Sequence, residues 1–299
     1  MGRSLAILGV PGVLDGGGAA DTSFSMTVTT TGAQQLKLDG LTVSASTTVD
    51  WGDGSSNDYT GSGARTHNYA GAGTWTVTIK QPLNVTLIDL RAVAKISSLT
   101  GANIVKLANL TSLRLEAVGT GLVWTVNNDA PMPSGITSLY LSTLPGLTWN
   151  VGSVAGANMP SGITYLNLQT LANLTWDVGS VAGANMPANA TSVTIMGTGT
   201  VTIEATDILP APMTAFCFEN NLNQAAVDAV LAALYLAFPT RTGTAGTIDL
   251  LGTGNAAPTG VSPGSAECPP TTGWNTAYEL VNDSCGVSAN HWASVSLQT

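Results

Sequence analysis

The chain holds two histidines, three cysteines and eighteen aspartates and glutamates, and these are the side chains that could do chemistry. His67 lies near Asp50, Asp53 and Asp58 in the sequence, and such a set could act as an acid–base pair or bind calcium. No nucleophile with a matched base accompanies His67, and the acids lack the spacing of an EF-hand loop. We therefore expect a structural role for His67, no catalytic residue, no bound metal and no cofactor.

The three cysteines fall into two groups. Cys217 lies between two phenylalanines in an apolar run, which is typical of a buried free thiol. Cys268 and Cys285 lie near the C-terminus in a region rich in loop-forming residues, and they could form a disulfide that contributes about 3 kcal/mol. A zinc site is disfavoured there, because even with His291 the ligands are too few and lack a recognised spacing.

The centre of the chain is organised by an internal repeat. Residues 132–158 and 159–185 are near-identical copies with a period of 27, and weaker copies flank them. The copies align the residues Leu113, Leu139, Leu166 and Val193. A repeat of this length predicts a solenoid, in which each copy is one turn and stacked turns bury a shared core.

Within each copy, apolar residues follow an L-x-x-L-x-L order, as in Ile136, Leu139 and Leu141. This pattern resembles that of leucine-rich repeats, with Leu144 and Leu171 standing where that family often has asparagine. The resemblance implies parallel strands and a surface that serves interaction rather than catalysis.

A second segment of each copy carries a tryptophan. Trp124, Trp149 and Trp176 would stack in register, and an exposed column of this kind could bind sugars. Period-2 alternation places Trp149 on the same face as Leu147 and Val151, which favours a buried ladder over a ligand surface.

Carboxylates in this repeat bear on whether the chain degrades glycans. Glycoside hydrolysis needs two carboxyl groups about 5–10 Å apart. Asp177 has Asn150 at the matching position of the preceding copy, while Glu116 and Asp129 have no acidic partner in register. We therefore expect no enzyme activity.

The region before the repeat shows short alternating strands with glycine-rich turns, which is typical of a β-sandwich. Its most specific motif comprises Trp51, Gly52, Asp53, Gly54, His67, Tyr69 and Trp75. The motif resembles the PKD-type domain, although that family usually has tyrosine where Trp75 stands. The resemblance implies that the motif has a structural role.

These observations predict a mainly β chain, in which a small PKD-like β-sandwich precedes a leucine-rich-repeat-type solenoid. A helix is expected over residues 224–238, where an apolar stripe runs from the N-cap candidate Asn223 to Pro239. The predicted division is an N-terminal arm at 1–20, the sandwich at 21–82, the solenoid at 83–251 and a C-terminal capping region at 252–299. The arm could be a disordered tail, or an anchor that docks onto a neighbouring subunit.

Composition limits the partners. Charged residues make up only 9% of the chain and the net charge is −9, which disfavours nucleic acid and anionic membranes. No apolar stretch is long enough to span a membrane.

The arrangement looks like that of bacterial and phage surface proteins. We therefore expect a non-enzymatic phage virion protein, such as a tail-tip, fibre or capsid-decorating component. Its expected partners are other virion proteins through the arm, a host-surface glycan or protein, or further copies of itself. A bacterial cell-surface adhesin is the alternative, with a glycan-degrading enzyme third, and the expected location is the virion or the cell surface.

Overall fold

The computed structural model describes residues 23–91, 95–243, 246–252, 254–262, 264–288 and 290–298. The predicted arm at 1–20 lies outside the described residues. The described part contains seventeen β-strands and three α-helices, which confirms the prediction of a mainly β protein.

Four antiparallel strands come first: β1 (Phe24–Thr31), β2 (Gln34–Asp50), β3 (Ser56–Tyr69) and β4 (Ala72–Ile79). In β1 the side chains of Phe24, Met26 and Val28 are buried and those between them are not, which is the period-2 pattern of a half-buried strand. β1 pairs with β4 and β2 pairs with β3. The likeness of these strands to a PKD-type sandwich stays a prediction.

The chain then coils into a β-solenoid of about five turns. Each turn adds one strand to a first parallel sheet, formed by β5 (Val85–Arg91), β7 (Ser112–Glu116), β9 (Ser138–Ser142), β11 (Tyr165–Gln169) and β13 (Ser192–Met196). Each turn also adds one strand to a second sheet, formed by β6 (Ile96–Thr100), β8 (Leu122–Thr125), β10 (Leu147–Asn150), β12 (Leu174–Asp177) and β14 (Thr200–Thr202). The short helix α1 (Gly101–Ile104) follows β6.

The two 27-residue copies are adjacent, equivalent turns, as the repeat predicts. Leu139 pairs with Leu166, and Leu166 pairs with Val193, in one parallel register. These side chains are fully buried, and burial of each contributes about 2 kcal/mol. Stacked apolar side chains of successive turns thus supply the continuous core on which the prediction rested.

The N-terminal strands continue both sheets of the solenoid. β2 is 17 residues long, and its middle pairs antiparallel with β5 of the first sheet. β1 pairs antiparallel with β6 of the second sheet. Trp51 and Leu139 consequently belong to one hydrophobic core. The predicted division of the chain at residues 82 and 83 stays a prediction.

A left-handed residue ends each first-sheet strand from β7 to β13. Thr143 and Thr170 adopt φ values of 54° and 50°, and Gly197 adopts 53° at the same place one turn later. Their N–H groups donate to the next turn, as from Thr143 to the carbonyl of Gln169. A β-branched residue is strained in this conformation, so the two threonines are held there by the stack.

The end of the chain departs from the two-strand turn. After β15 (Ala215–Glu219) the helix α2 (Gln224–Ala237) stands in place of a second strand, and Asn223 caps it by accepting from the Ala226 N–H. This helix was predicted over 224–238. The chain then adds β16 (Thr247–Leu250), α3 (Gly273–Asn282) and β17 (Ser294–Leu297), and both strands extend the first sheet.

Among the described residues, no helix combines the length and the apolar content needed to cross a bilayer.

Candidate functional site

The sequence motif of the N-terminal strands forms an aromatic stack. The rings of Trp51 and His67 are parallel with centroids 5.0 Å apart, His67 meets Tyr69 edge-on at 4.6 Å, and Tyr69 stacks on Trp75 at 5.1 Å. The Tyr69 hydroxyl donates to the Trp51 carbonyl oxygen at 2.9 Å. The four rings therefore pack against one another in one row at this end of the sheet.

The turn beside the stack explains the two motif glycines and Asp53. Gly52 and Gly54 have φ of 83° and 90°, and a Cβ on Gly52 would lie 2.6 Å from the Thr76 carbonyl oxygen. Asp53 accepts from the Ser55 hydroxyl at 2.6 Å, and its other oxygen lies 2.7 Å from Nε2 of His67. The Ser55 hydrogen bond, followed by that of His67, lowers the pKa of Asp53 to about 2.

His67 is thus fully engaged by its neighbours. Its ring nitrogen is bound to Asp53 and its ring packs between Trp51 and Tyr69. The structural role expected for His67 stays a prediction.

The three repeat tryptophans are buried and do not form a ligand surface. Trp124, Trp149 and Trp176 are at most 1% exposed. Their indole N–H groups donate to carbonyl oxygens of the same turn, at 2.9 Å from Trp124, 2.8 Å from Trp149 and 2.6 Å from Trp176. The parity argument explains the outcome, because each tryptophan shares its face with buried Leu and Val residues. The exposed sugar-binding column is therefore corrected to three buried core residues. They do not stack in register either, because the strands pair with an offset that sets Trp124 against Leu147 and Trp149 against Leu174.

The structure pairs Cys268 with Cys285 as a disulfide whose Cα atoms are 5.5 Å apart. Next to it, the buried carboxylate of Glu279 accepts from the Cys285 N–H at 3.0 Å. The bond thus joins the segment before α3 to the loop that follows it. Cys217 remains a free thiol.

A polar and aromatic row runs across the outer face of the first sheet. Its members pair in register from strand to strand and alternate with the buried leucines, so they point away from the core. We call these residues the outer row: Asp89, Arg114, Tyr140, Asn167, Thr194, Cys217 and Asp249.

The first half of the outer row is organised by charge and stacking. The guanidinium carbon of Arg114 lies 4.1 Å from the centre of the Tyr140 ring. The same side chain contacts the Glu116 carboxylate at 3.3 Å and the Asp89 carboxylate at 4.0 Å. Burial raises the pKa of Asp89, although the neighbouring cations Arg91 and Arg114 oppose this effect.

Asn167 is the most unusual member, because it faces outward yet is only 6% exposed. Its Nδ2 donates to the Tyr165 hydroxyl across a long 3.4 Å, and its Oδ1 has no hydrogen-bond partner. Nε of Arg114 also lacks a hydrogen bond. An unpaired buried acceptor costs about 1–3 kcal/mol, so this amide is poorly explained by folding alone.

A polar surface groove of about 360 Å³ lies at the C-terminal ends of β11, β13 and β15. It is lined by Gln169, Thr170, Met196, Gly197, Glu219 and Asn221. Amide, hydroxyl and carboxylate groups therefore converge at this end of the first sheet. Such a surface can bind a polar ligand through hydrogen bonds.

The far end of the outer row gathers one sulfur and two carboxylates. The ligand atoms of Cys217, Glu219 and Asp249 lie within 4.8 Å of one another. Burial, aided by the two carboxylates, raises the pKa of Cys217 to about 12. The thiol therefore keeps its proton at neutral pH when no cation is bound.

Sequence reasoning did not identify the outer row. Its only signal is the middle residue of each L-x-L triplet, and these residues differ in type from turn to turn, as Arg114, Tyr140 and Asn167 do. The pattern could be found by aligning the copies and reading the outward positions alone.

Comparison with known proteins gives no relative: no protein-family model, no curated protein and no solved structure matches this chain.

Proposed function

We propose that this protein is a non-enzymatic binding component of a phage virion, as a tail-tip, fibre or capsid-decorating protein, and that it presents its outer row to a host-surface glycan or protein. The observation that carries the proposal is the unpaired Oδ1 of buried Asn167 beside Tyr140 and Tyr165. A ligand hydroxyl or N–H would supply the missing donor once the side chains that cover this buried atom move aside.

The sequence supports the same class of function. The motif around Trp51 resembles PKD-type domains and the 27-residue copies resemble leucine-rich repeats, and both families serve interaction on bacterial and phage surfaces. A surface with few lysines and a net charge of −9 suits neutral, hydroxyl-bearing partners better than nucleic acid. Other virion proteins and further copies of the chain are the additional partners that we propose.

A bacterial cell-surface adhesin is the second candidate. The disulfide between Cys268 and Cys285 favours it, because such bonds persist in oxidising, extracellular surroundings. Both candidates place the chain outside the cytoplasm when it acts, and both use the same outer face.

The test has a binding arm and a location arm. The full chain, fluorescently labelled, is applied to bacterial cells and to a glycan array, with Tyr140→Ala and Asn167→Ala as site variants. Asn150→Ala is the matched control, because Asn150 is an exposed amide on the second sheet. Binding that falls at least tenfold in both site variants and not in the control supports the proposal.

Equal binding by all variants, or no binding to any surface, would refute the outer row as the site. Mass spectrometry of purified phage particles and of bacterial outer surfaces then separates the two candidates. Recovery of the chain only from the cytosol would contradict both.

A further inference from the structure

Exposed aliphatic side chains recur at the corner of the solenoid that follows β10, β12 and β14. Val154, Val181 and Ile208 are 41%, 50% and 84% exposed, and their 27-residue spacing gives them equivalent places in three successive turns. The turns stack closely here, because a Cβ on Gly152 would lie 2.7 Å from Cγ2 of Val181. We call these three residues the corner column. Contiguous exposed apolar groups mark contact surfaces more often than single ones do.

A furrow runs beside the corner column and crosses the same turns. One part, of about 310 Å³, is lined by Met132, Met159 and Ala182, and the next, of about 580 Å³, by Met159, Met186 and Ala182. The two parts adjoin each other, because they share lining residues. Polar residues also line the furrow, among them Ser161, Asn185 and Asp207. Flexible methionine side chains adapt to apolar groups of different shapes, so the furrow can accept large side chains of a partner.

Acidic side chains border the corner column. Asp177 and Glu204 are exposed at equivalent places 27 residues apart, each four residues before a member of the column, and Asp207 lines the furrow. Residues 115–240 contain seven aspartates and glutamates but no lysine or arginine. This surface therefore favours a partner that carries positive charge beside its apolar groups.

The spacing of the corner column fits a helix. Successive turns of the solenoid lie about 4.8 Å apart, so the column offers one apolar side chain at each such interval. Apolar residues spaced three or four along an α-helix advance by about 5 Å along its axis. Side chains on one face of an extended strand are about 6.7 Å apart, which does not match the column. A helix parallel to the solenoid axis can therefore place one apolar residue against each turn.

We propose that the corner column and the furrow bind a basic amphipathic α-helix of a partner protein. The apolar face of the helix packs on the corner column and fills the furrow, and its lysines or arginines lie beside Asp177 and Glu204. This surface is separate from the outer row, which lies on the first sheet, so each site can be tested without the other.

The test uses two synthetic peptides of equal length and equal leucine and lysine content, each of about 16 residues, or four to five helical turns. In the first peptide the leucines recur every three or four residues, which gives a helix one apolar face. In the second they alternate with lysines, which gives a strand one apolar face. Fluorescence anisotropy of the labelled peptides measures binding to the full chain. We expect the first peptide to bind at least tenfold more tightly than the second, although both carry the same charge.

A site variant and a matched control locate the binding. The site variant combines Val154→Ser, Val181→Ser and Ile208→Ser. The control removes exposed apolar side chains outside the corner, by Leu83→Ser, Val123→Ser and Leu251→Ser. Binding of the first peptide should weaken at least tenfold in the site variant and stay unchanged in the control. A charge variant, Asp177→Asn with Glu204→Gln, should weaken it about threefold, since exposed ion pairs contribute little each.

Equal affinity of the two peptides would overturn the proposal, and so would equal binding by the site variant and its control. The midpoint of urea unfolding checks that the site variant is folded. If that midpoint falls, the charge variant decides, and unchanged affinity there would overturn the proposal. Sedimentation of the native chain as a dimer, with the site variant monomeric, would also overturn it and would assign the corner column to a second copy of the chain.

Discussion

Replacement of Asn167 by threonine should stabilise the fold while it removes ligand binding. The Oδ1 atom of Asn167 is buried without a partner, which costs about 1–3 kcal/mol. The substitution gives up only the long 3.4 Å contact to Tyr165, worth about 0.5 kcal/mol. Threonine also suits a strand better than asparagine, and Thr194 occupies the next place in the outer row.

The expected gain is about 1 kcal/mol in the free energy of unfolding. Urea unfolding followed by tryptophan fluorescence measures it, because the buried residues Trp124, Trp149 and Trp176 report on the whole solenoid. For a chain of this size the midpoint should rise by about 0.3 M. Asn150→Thr is the control, and since Asn150 is exposed its effect should stay within about 0.5 kcal/mol.

If Asn167→Thr lowers the free energy of unfolding by 1 kcal/mol or more, the amide stabilises the fold. That result would refute its assignment as a binding group. Stabilisation together with undiminished binding would refute the functional half of the reasoning alone.

Four further predictions follow from the core, the turns and the disulfide. Trp149→Phe should lower the free energy of unfolding by about 2 kcal/mol in urea titration, because the smaller ring leaves a cavity in the core and gives up the hydrogen bond to the Ala157 carbonyl, which keeps only the Gly152 N–H. Exposed Val123→Ala should have almost no effect. Thr170→Gly should raise the free energy of unfolding by about 0.5–1 kcal/mol, because it removes a β-branched side chain from a left-handed position. The thermal midpoint should rise accordingly, and a lower midpoint would contradict this explanation. The pKa of Asp53 is about 2 in the folded chain and near 3.9 when unfolded, so its contribution, about 1 kcal/mol at this exposed turn, is fully present above about pH 5 and is lost as the pH falls through 2. Unfolding of the native chain and of Asp53→Asn at pH 5 and pH 2.5 should show the difference shrink to about a third at the lower pH. Replacing Cys268 and Cys285 by serine should lower the free energy of unfolding by about 3 kcal/mol, measured by calorimetry. An unchanged unfolding transition would show that the disulfide does not stabilise the folded chain.

The solenoid could be predicted because near-identity at a period of 27 leaves little choice of register. Once Leu139 must lie against Leu166, parity settles that Trp149 is buried. The helix that begins at Gln224 could be predicted equally well, because its N-cap and its apolar stripe are local features of the sequence.

The joining of the N-terminal strands to the solenoid could not be predicted in this way. It depends on pairing between β2 and β5 and between β1 and β6, which are contacts distant in sequence and interrupted by register shifts. The candidate site was missed for a related reason. Whether the Asn167 oxygen has a hydrogen-bond partner depends on which residues surround it in space, and no sequence pattern predicts this.

Cysteine cross-linking across one turn tests most directly whether the 27-residue copies stack as equivalent turns. Asn150 and Thr175 are exposed register partners on β10 and β12, whereas Thr200 lies one strand further on. In a Cys217→Ser background, the pair Asn150→Cys with Thr175→Cys should form a disulfide under mild oxidation, since neighbouring strands hold Cα atoms about 5 Å apart. The pair Asn150→Cys with Thr200→Cys, about 10 Å apart, should remain reduced. Bonding of the second pair in preference to the first would contradict the stacked solenoid.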